Sequence, residues 1–172
     1  MHRKYGGMKQ RKHGNLLLEL AVIAASVFAL AMLVYFVMIV SFQSGDSSTN
    51  VTMRIAGRIA RTIFEDPKQE QIETVSRMLR YGAHLALFFV VGLVTAFVSM
   101  VIFRGYFRIV GVMLAGVACY MMAYYTEYFK QYIEGRHFQM TDVALNWYGC
   151  LAGIVCMVVS YFLNRVLVKL SS

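Results

Sequence analysis

The sequence predicts an all-α integral membrane protein, a four-helix bundle with a short amphipathic helical segment in the first outer loop. Of its 172 residues, 59% are hydrophobic and 15% are charged, whereas soluble domains contain about 45–50% and 25%. Four apolar runs approach or reach the roughly 20 residues that cross a bilayer core, and the only proline, Pro67, lies outside them. Because backbone groups in lipid must pair within the protein, these runs are predicted helices. This composition excludes a disordered tail, a nucleic-acid-binding arm and an ordinary soluble enzyme.

The first predicted span follows a basic N-terminal segment, residues 1–15, with five Lys and Arg side chains. Such a start resembles a signal peptide, but the apolar run is too long and lacks a small-residue cleavage site. We therefore expect an uncleaved anchor with a cytoplasmic N-terminus.

The remaining spans alternate across the membrane and return the C-terminal tail, residues 164–172, to the cytoplasm. Lys and Arg are more than twice as dense in the segments that this places inside as in those outside, as the positive-inside rule requires. The expected location is the plasma membrane, with one membrane domain over residues 16–163. Its predicted spans are about 16–42, 82–103, 109–126 and 143–163.

The first outer loop, residues 43–81, is long for such a protein. Ser44 to Ser48 are expected to form a turn, and Asp66 with Pro67 is expected to cap a second helix that feeds the second span. Between them, apolar residues recur every fourth position, which predicts a short amphipathic helix on the membrane surface. Two interpretations stay open: these helices cover the outer mouth of the bundle, or they act as a lid or contact lipid headgroups. The recurring residues are Val51, Ile55, Ile59 and Ile63.

Polar residues gather at three span ends that the topology places outside. Asp142 and Asn146 share one helical face, which Gly149 and Gly153 continue with small residues that let helices approach closely. Ionisable groups at membrane depth are costly, so they tend to pair or to have a function. We expect one outward-facing pocket. The candidate residues are His84, Glu127, Arg136, Asp142 and Asn146, supported by Arg80, Gly135, Gly149 and Gly153.

Each candidate also has a structural interpretation. Arg136 is then a loop cation in the headgroup zone, and Asp142 is the cap of the fourth helix. His84 is then a hydrogen-bonded interfacial histidine, and Glu127 pairs with Lys130 on its own helix.

No cofactor or metal is expected. The three cysteines, an odd number, lie in apolar runs and match no metal-binding spacing, so we interpret them as small buried hydrophobic residues. They are Cys119, Cys150 and Cys156. The expected partners are membrane lipids and no nucleic acid, and the sequence leaves the oligomeric state open.

The polar residues, in their order along the chain, resemble those of the VanZ-like membrane proteins. In that family an acidic residue is followed by a Pro-Gly-Arg turn, then Asp, Asn and glycines. Residues 127–153 match with Glu127, Gly135-Arg136, Asp142, Asn146, Gly149 and Gly153. Upstream, the run RYGAH supplies Arg80 and His84, a basic residue ahead of a histidine that opens a span. The resemblance covers roughly residues 41–153.

The sequence departs from the family pattern at several positions. Thr126 stands where an Asp is common in the family, and Lys130 stands where a Gln is common. Glu134 replaces the proline of the turn, and Leu87 replaces a Glu that often follows the histidine. VanZ-like proteins are associated with glycopeptide resistance, chiefly to teicoplanin, in Gram-positive bacteria. The resemblance therefore implies a cell-envelope context, and a lipid-linked cell-wall precursor or a glycopeptide as a partner, without implying a reaction.

Four functions stay open at this point. The first is an envelope protein whose Arg136 and His84 hold an anionic or polar headgroup, oriented by Asp142 and Glu127. The second is an enzyme on a lipid-linked substrate, with His84 or Glu127 as general acid or base. The third is a small transporter, disfavoured because the span centres carry almost no ionisable groups. The fourth is a scaffold in which the polar cluster only locks helix ends.

Overall fold

The computed structural model describes residues 3–42, 45–64 and 66–171, with side chains described from residue 16 onward except for 43–49 and 65. The described residues form five helices. Their bounds are α1 Arg3–Ser41, α2 Gly45–Ile63, α3 Gln69–Ile102, α4 Phe107–Lys130 and α5 Met140–Ser171.

Four of these helices are long and apolar enough to cross a membrane: α1 from Leu16 onward, α3, α4 and α5. The all-helical fold class predicted from the sequence is confirmed, and the chain is a membrane protein. The helices extend beyond the predicted spans, and α3 and α5 have 34 and 32 residues. A hydrogen-bonded helix does not stop where its apolar run ends, so hydropathy marks the span and not the helix.

The centre of the bundle is α3, which packs against every other helix and most extensively against α5. Its buried residues join side chains of α1, α4 and α5 in one apolar cluster. The outer faces remain apolar, as expected for contact with lipid, and α1 is almost entirely exposed. The cluster contains Val37, Phe88, Val91, Ala96, Cys119, Ala123, Cys150 and Ile154.

Helices α3 and α5 run in the same direction and touch through glycine. Two polar pairs link them, Arg80 with Asp142 and His84 with Asn146. In both helices the second member lies four residues after the first, so the two chains advance in the same direction. A Cβ atom on Gly149 would lie 2.6 Å from the carbonyl oxygen of Leu85, and one on Gly153 would lie 2.1 Å from that of Phe89. The expected role of these glycines as close-approach residues is therefore seen directly in the packing.

At the end of the bundle that contains the α3–α4 loop, two arginines link neighbouring helices. Away from these polar pairs, Arg104 Nη1 lies 3.2 Å from Glu19 Oε2, which joins the end of α3 to the start of the α1 span. Arg108 donates a hydrogen bond to the Tyr161 hydroxyl and stacks over the same ring at 4.9 Å from its centroid. The start of α4 is thus held against the final turns of α5.

The amphipathic helix expected in the first loop is α2, and it packs on α3 through small residues. Ala56 and Ala60 are fully buried, whereas Val51, Ile55 and Ile63 are 55%, 48% and 65% exposed. Most of the large apolar side chains therefore stay exposed, while Ile59 is half-buried and Ile55 lines a concavity beside α3.

Two predictions about the connecting segments are wrong. Residues 45–48, which were expected to form a turn, instead form the first turn of α2, and Ser44 lies outside the described residues. The N-cap of α3 is Lys68 and not Asp66. The Lys68 N–H donates to Gln71 Oε1 at 2.9 Å, which satisfies an end group that Asp66 was expected to serve.

Candidate functional site

One end of the bundle, here called the polar end, contains the outer turns of α3, the end of α4, the 131–139 loop and the start of α5. Arg80 on α3 reaches across this end to α5. Its Nη2 atom donates to Asp142 Oδ2 at 2.6 Å and to Gln139 Oε1 at 3.0 Å. Asp142 lies in the first turn of α5, where its negative charge suits the helix N-terminus, but its carboxylate pairs with Arg80 and accepts no hydrogen bond from a helix N–H among the described residues.

One helical turn after Arg80 and Asp142, the side chains of His84 and Asn146 are in contact. His84 Nδ1 lies 2.8 Å from Asn146 Oδ1. In the neutral tautomer with its proton on Nδ1, the ring donates to this amide oxygen and keeps Nε2 as an acceptor. Asn146 is fully buried, and its Nδ2 group has no hydrogen-bond partner among the described residues.

A buried ion pair lies at the end of α4. Lys130 Nζ donates to Glu127 Oε1, and the side chains are only 3% and 1% exposed. The pairing expected under the structural interpretation of Glu127 is therefore present, although it is buried and not at the surface. It leaves Glu127 Oε2 without a partner in the described part of the chain, and the same holds for Asp142 Oδ1. Buried polar atoms of this kind are rare in folded proteins and call for an explanation.

The loop between α4 and α5 brings Arg136 to the same end. Gly135 has a φ of +74°, a left-handed conformation that glycine adopts without strain, so the chain reverses sharply after α4. The Arg136 N–H then donates to the Ile133 carbonyl at 3.1 Å, which closes the turn and points the chain back toward α5.

A concavity at the polar end, here called the main cavity, has a volume of about 280 Å³. Helices α1, α2 and α3 each supply both apolar and polar side chains to its lining, and the end of α4 and the 131–139 loop add two cations. The apolar lining residues are Val40, Ile55, Leu79, Ala83 and Leu87, and the polar ones are Ser41, Thr52, Arg80, His84, Lys130 and Arg136.

Two further spaces adjoin the main cavity and share Arg80 and Arg136 with it. The first, here called the polar chamber, holds about 90 Å³ and is lined almost wholly by polar groups; it includes Glu127, Lys130 and Asp142. The second, here called the side groove, lies between α2 and α3 and includes Glu73 and Arg77. Arg80 and Arg136 thus stand where all three spaces meet.

A model of the VanZ/LLP1 family matches residues 26–163, most of the chain. The chain belongs to the VanZ/LLP1 family. The resemblance stated from the polar residues is confirmed. No curated protein and no solved structure gives a significant match.

This VanZ/LLP1 protein places all five candidate residues at one end of the bundle, and four of them line two adjoining spaces. Glu127, Arg136 and Asp142 line the polar chamber, and His84 lines the main cavity with Arg136. Asn146 lies behind His84 and holds its ring. Their service as a binding or catalytic site stays a prediction.

Sequence reasoning missed two contributors to the site of the VanZ/LLP1 protein and treated Lys130 only as the partner of Glu127. Gln139 accepts a hydrogen bond from Arg80, and Thr52 of α2 lines the main cavity. Lys130 donates to Glu127 and also lines the main cavity. A spacing of three residues from Glu127 was a signal for Lys130, but burial of the pair was not readable from it. Within the described residues, no three His, Cys, Asp or Glu side chains are placed to hold a metal ion.

Proposed function

We propose that this VanZ/LLP1 protein is a cell-envelope protein that binds the phosphate-bearing headgroup of a lipid or lipid-linked cell-wall precursor. The observation that carries the proposal is the main cavity, whose lining combines apolar side chains with three cationic ones. A ligand that matches this lining is an amphiphile with an anionic head. The volume of about 280 Å³ lies near the lower end of small-molecule sites, enough for a headgroup and the first carbons of its chain.

The charges at the polar end support an anionic headgroup. Arg80, Lys130 and Arg136 line the main cavity, while the carboxylates that pair with the first two lie in the adjoining chamber. Arginine suits phosphate because its planar guanidinium presents paired N–H donors. A phosphate in the main cavity would meet cations from α3, from α4 and from the 131–139 loop.

The proposed orientation places the polar end outside the cell. The basic segment 1–15 would stay in the cytoplasm, as would the tail 164–172, because clustered Lys and Arg resist translocation. Residues 16–163 would form the membrane domain of a plasma-membrane protein. The headgroup site would then face the leaflet in which cell-wall precursors are displayed.

A titration with matched ligands tests the binding proposal. The purified protein in a neutral detergent is titrated with farnesyl phosphate and with farnesol, which share a chain and differ in the phosphate. We expect farnesyl phosphate to bind at least tenfold more tightly, and Arg136→Gln to remove about tenfold, the effect of one charge-assisted hydrogen bond. Arg61→Gln makes the same charge change on the exposed face of α2 and should leave binding unchanged. Equal binding of the phosphate and the alcohol would refute the proposal.

A cellular test addresses the proposed link to glycopeptide tolerance. A sensitive Gram-positive host would express the wild type, Arg136→Gln or Asp142→Asn at matched membrane levels. We expect raised teicoplanin tolerance with the wild type alone, and vancomycin serves as the comparator. Equal susceptibility in all strains would separate the site from this phenotype.

Acid–base catalysis on a lipid-linked substrate is a second candidate function. The observation that favours it is the His84–Asn146 pair, which fixes the ring and leaves Nε2 as a base beside the main cavity. Turnover of a lipid-linked substrate by the purified protein, abolished in His84→Gln while ligand binding persists, would support it. Binding without turnover would leave the headgroup-binding function alone.

A further inference from the structure

The polar chamber gives a second, deeper set of contacts to any headgroup held in the main cavity. Arg80, Lys130 and Arg136 line both spaces, so a phosphate beside these cations stands at the entrance of the chamber. The chamber of about 90 Å³ is large enough for a small polar group and has almost no apolar wall. A headgroup that ends at its phosphate would leave this space unused.

The unpaired atoms of the chamber include two carboxylate oxygens, beside the Nε donor of Arg80. Glu127 and Asp142 are 1% and 2% exposed, and each uses one carboxylate oxygen for a cation. The second oxygen of each, Glu127 Oε2 and Asp142 Oδ1, has no partner in the described part of the chain. Because a buried carboxylate oxygen without a hydrogen bond is strongly unfavourable, the chamber is complementary to a hydrogen-bond donor.

The charge of the chamber determines the type of donor. Three cationic side chains, those of Arg80, Lys130 and Arg136, line it beside only two carboxylates. A further cation such as an ammonium group would be repelled, whereas a hydroxyl group donates a hydrogen bond without adding charge.

We infer that the ligand is a phospholipid-type amphiphile whose headgroup carries a hydroxyl beyond the phosphate, as in a glycerol or sugar headgroup. The phosphate lies in the main cavity against the shared cations, and the hydroxyl enters the polar chamber and donates to Glu127 Oε2 or Asp142 Oδ1. This inference rests on the proposed headgroup-binding function and deepens it by naming the class of headgroup.

Two pairs of short-chain lipids with identical acyl chains test the inference, with binding to the full-length protein followed by native mass spectrometry. Dihexanoyl phosphatidylglycerol and phosphatidylmethanol are both anions, and only the first has headgroup hydroxyls. Phosphatidylethanolamine and phosphatidylcholine are both zwitterions, and only the first has N–H donors. We expect about a tenfold preference for phosphatidylglycerol in the first pair, and less than about threefold discrimination in the second.

Two variants test whether the preference for phosphatidylglycerol over phosphatidylmethanol arises in the polar chamber. Glu127→Gln should reduce the preference for phosphatidylglycerol to about threefold or less, because a neutral amide oxygen is the weaker acceptor. Glu73→Gln makes the same change in the side groove and should keep the tenfold ratio. The two wild-type ratios decide the question even if the Glu127 variant does not fold.

The outcomes separate this inference from the proposed function. Equal binding of phosphatidylglycerol and phosphatidylmethanol, both tighter than phosphatidylcholine, overturns the hydroxyl inference and keeps the phosphate site. Discrimination in the zwitterionic pair that exceeds that in the anionic pair also overturns it, in favour of an ammonium. No preference for any anionic lipid over phosphatidylcholine overturns both.

Discussion

Replacing Gly153 by alanine should push α5 away from α3 and destabilise the protein. The new Cβ atom would lie 2.1 Å from the Phe89 carbonyl oxygen and 2.6 Å from the Leu93 nitrogen. Both are backbone atoms, so no side chain can rotate away to relieve the clash. An ordinary contact begins near 3.4 Å, and reaching it requires the two helices to separate by about 1.3 Å.

Two opposing effects set the magnitude. Overpacking of this kind costs about 1–3 kcal/mol, and a clash with backbone atoms belongs at the upper end of that range. Alanine has the higher helix propensity, so replacing glycine inside a helix also adds up to about 1 kcal/mol to the free energy of unfolding. The net expected loss in the free energy of unfolding is therefore about 2 kcal/mol, or roughly 4–8 °C in Tm for a chain of this length.

Thermal unfolding of purified variants in one detergent measures the effect, with Gly82→Ala as the control. Gly82 also lies within a long helix, but no atom lies within 4 Å of its would-be Cβ atom. That substitution should therefore raise the free energy of unfolding by about 0.5–1 kcal/mol, and with it Tm. A Gly153→Ala protein as stable as Gly82→Ala would refute the close α3–α5 contact on which the polar pairs depend.

Two further predictions test contacts between helices. Arg80→Gln and Asp142→Asn should each lower the free energy of unfolding by about 1–3 kcal/mol, because each single change leaves a polar group unpaired. The double variant should lose clearly less than the sum of the two single losses. Strictly additive losses in chemical denaturation would contradict the ion pair. Cys119 of α4 and Cys150 of α5 are buried in the same apolar cluster, so we expect mild oxidation with a membrane-permeant oxidant to join them within one chain. Intact mass should then fall by two hydrogen atoms, and Cys119→Ser should prevent the change; an oxidised wild type without this loss would contradict the α4–α5 packing.

The spans were predictable because hydrocarbon accepts only hydrogen-bonded helices, but the packing faces were not. Lipid is as apolar as a protein core, so large hydrophobic side chains do not mark the inside of a membrane bundle. On α2 the large residues Val51 and Ile55 are exposed, while Ala56 and Ala60 are fully buried. Small size was the better signal, and Gly153 at the α3–α5 contact follows the same rule.

The sequence predicted the spacing of the residues that form the polar pairs, but it did not predict their partners. Asp142 and Asn146 are four residues apart, and so are Arg80 and His84, so two helices carry matching one-turn spacings. Which residue meets which depends on the register of α3 against α5, and that is set by distant packing. Gln139 gave no signal, because a loop residue carries no periodicity that predicts its partner.

The interpretation of α4 shows why local spacing was insufficient. A lysine three residues after Glu127 is typical of a solvent-exposed pair on a helix surface. Burial turns the same pair, Glu127 with Lys130, into part of the site, and that burial comes from neighbouring segments brought together by the tertiary fold. The consequence is chemical, since a buried pair leaves one carboxylate oxygen unsatisfied where a surface pair would meet water.

The most direct test of the central claim is to find where a bound lipid phosphate lies. A polyprenyl phosphate with a diazirine on its first isoprene unit would be photolysed with the protein, and the labelled peptides mapped by mass spectrometry. The account predicts label on the segments that line the main cavity, around Ser41 of α1, Ile55 of α2 and Ala83 of α3, with competition by farnesyl phosphate and not by farnesol. Label spread evenly over the exposed faces of α1 and α5, unaffected by either competitor, would contradict it.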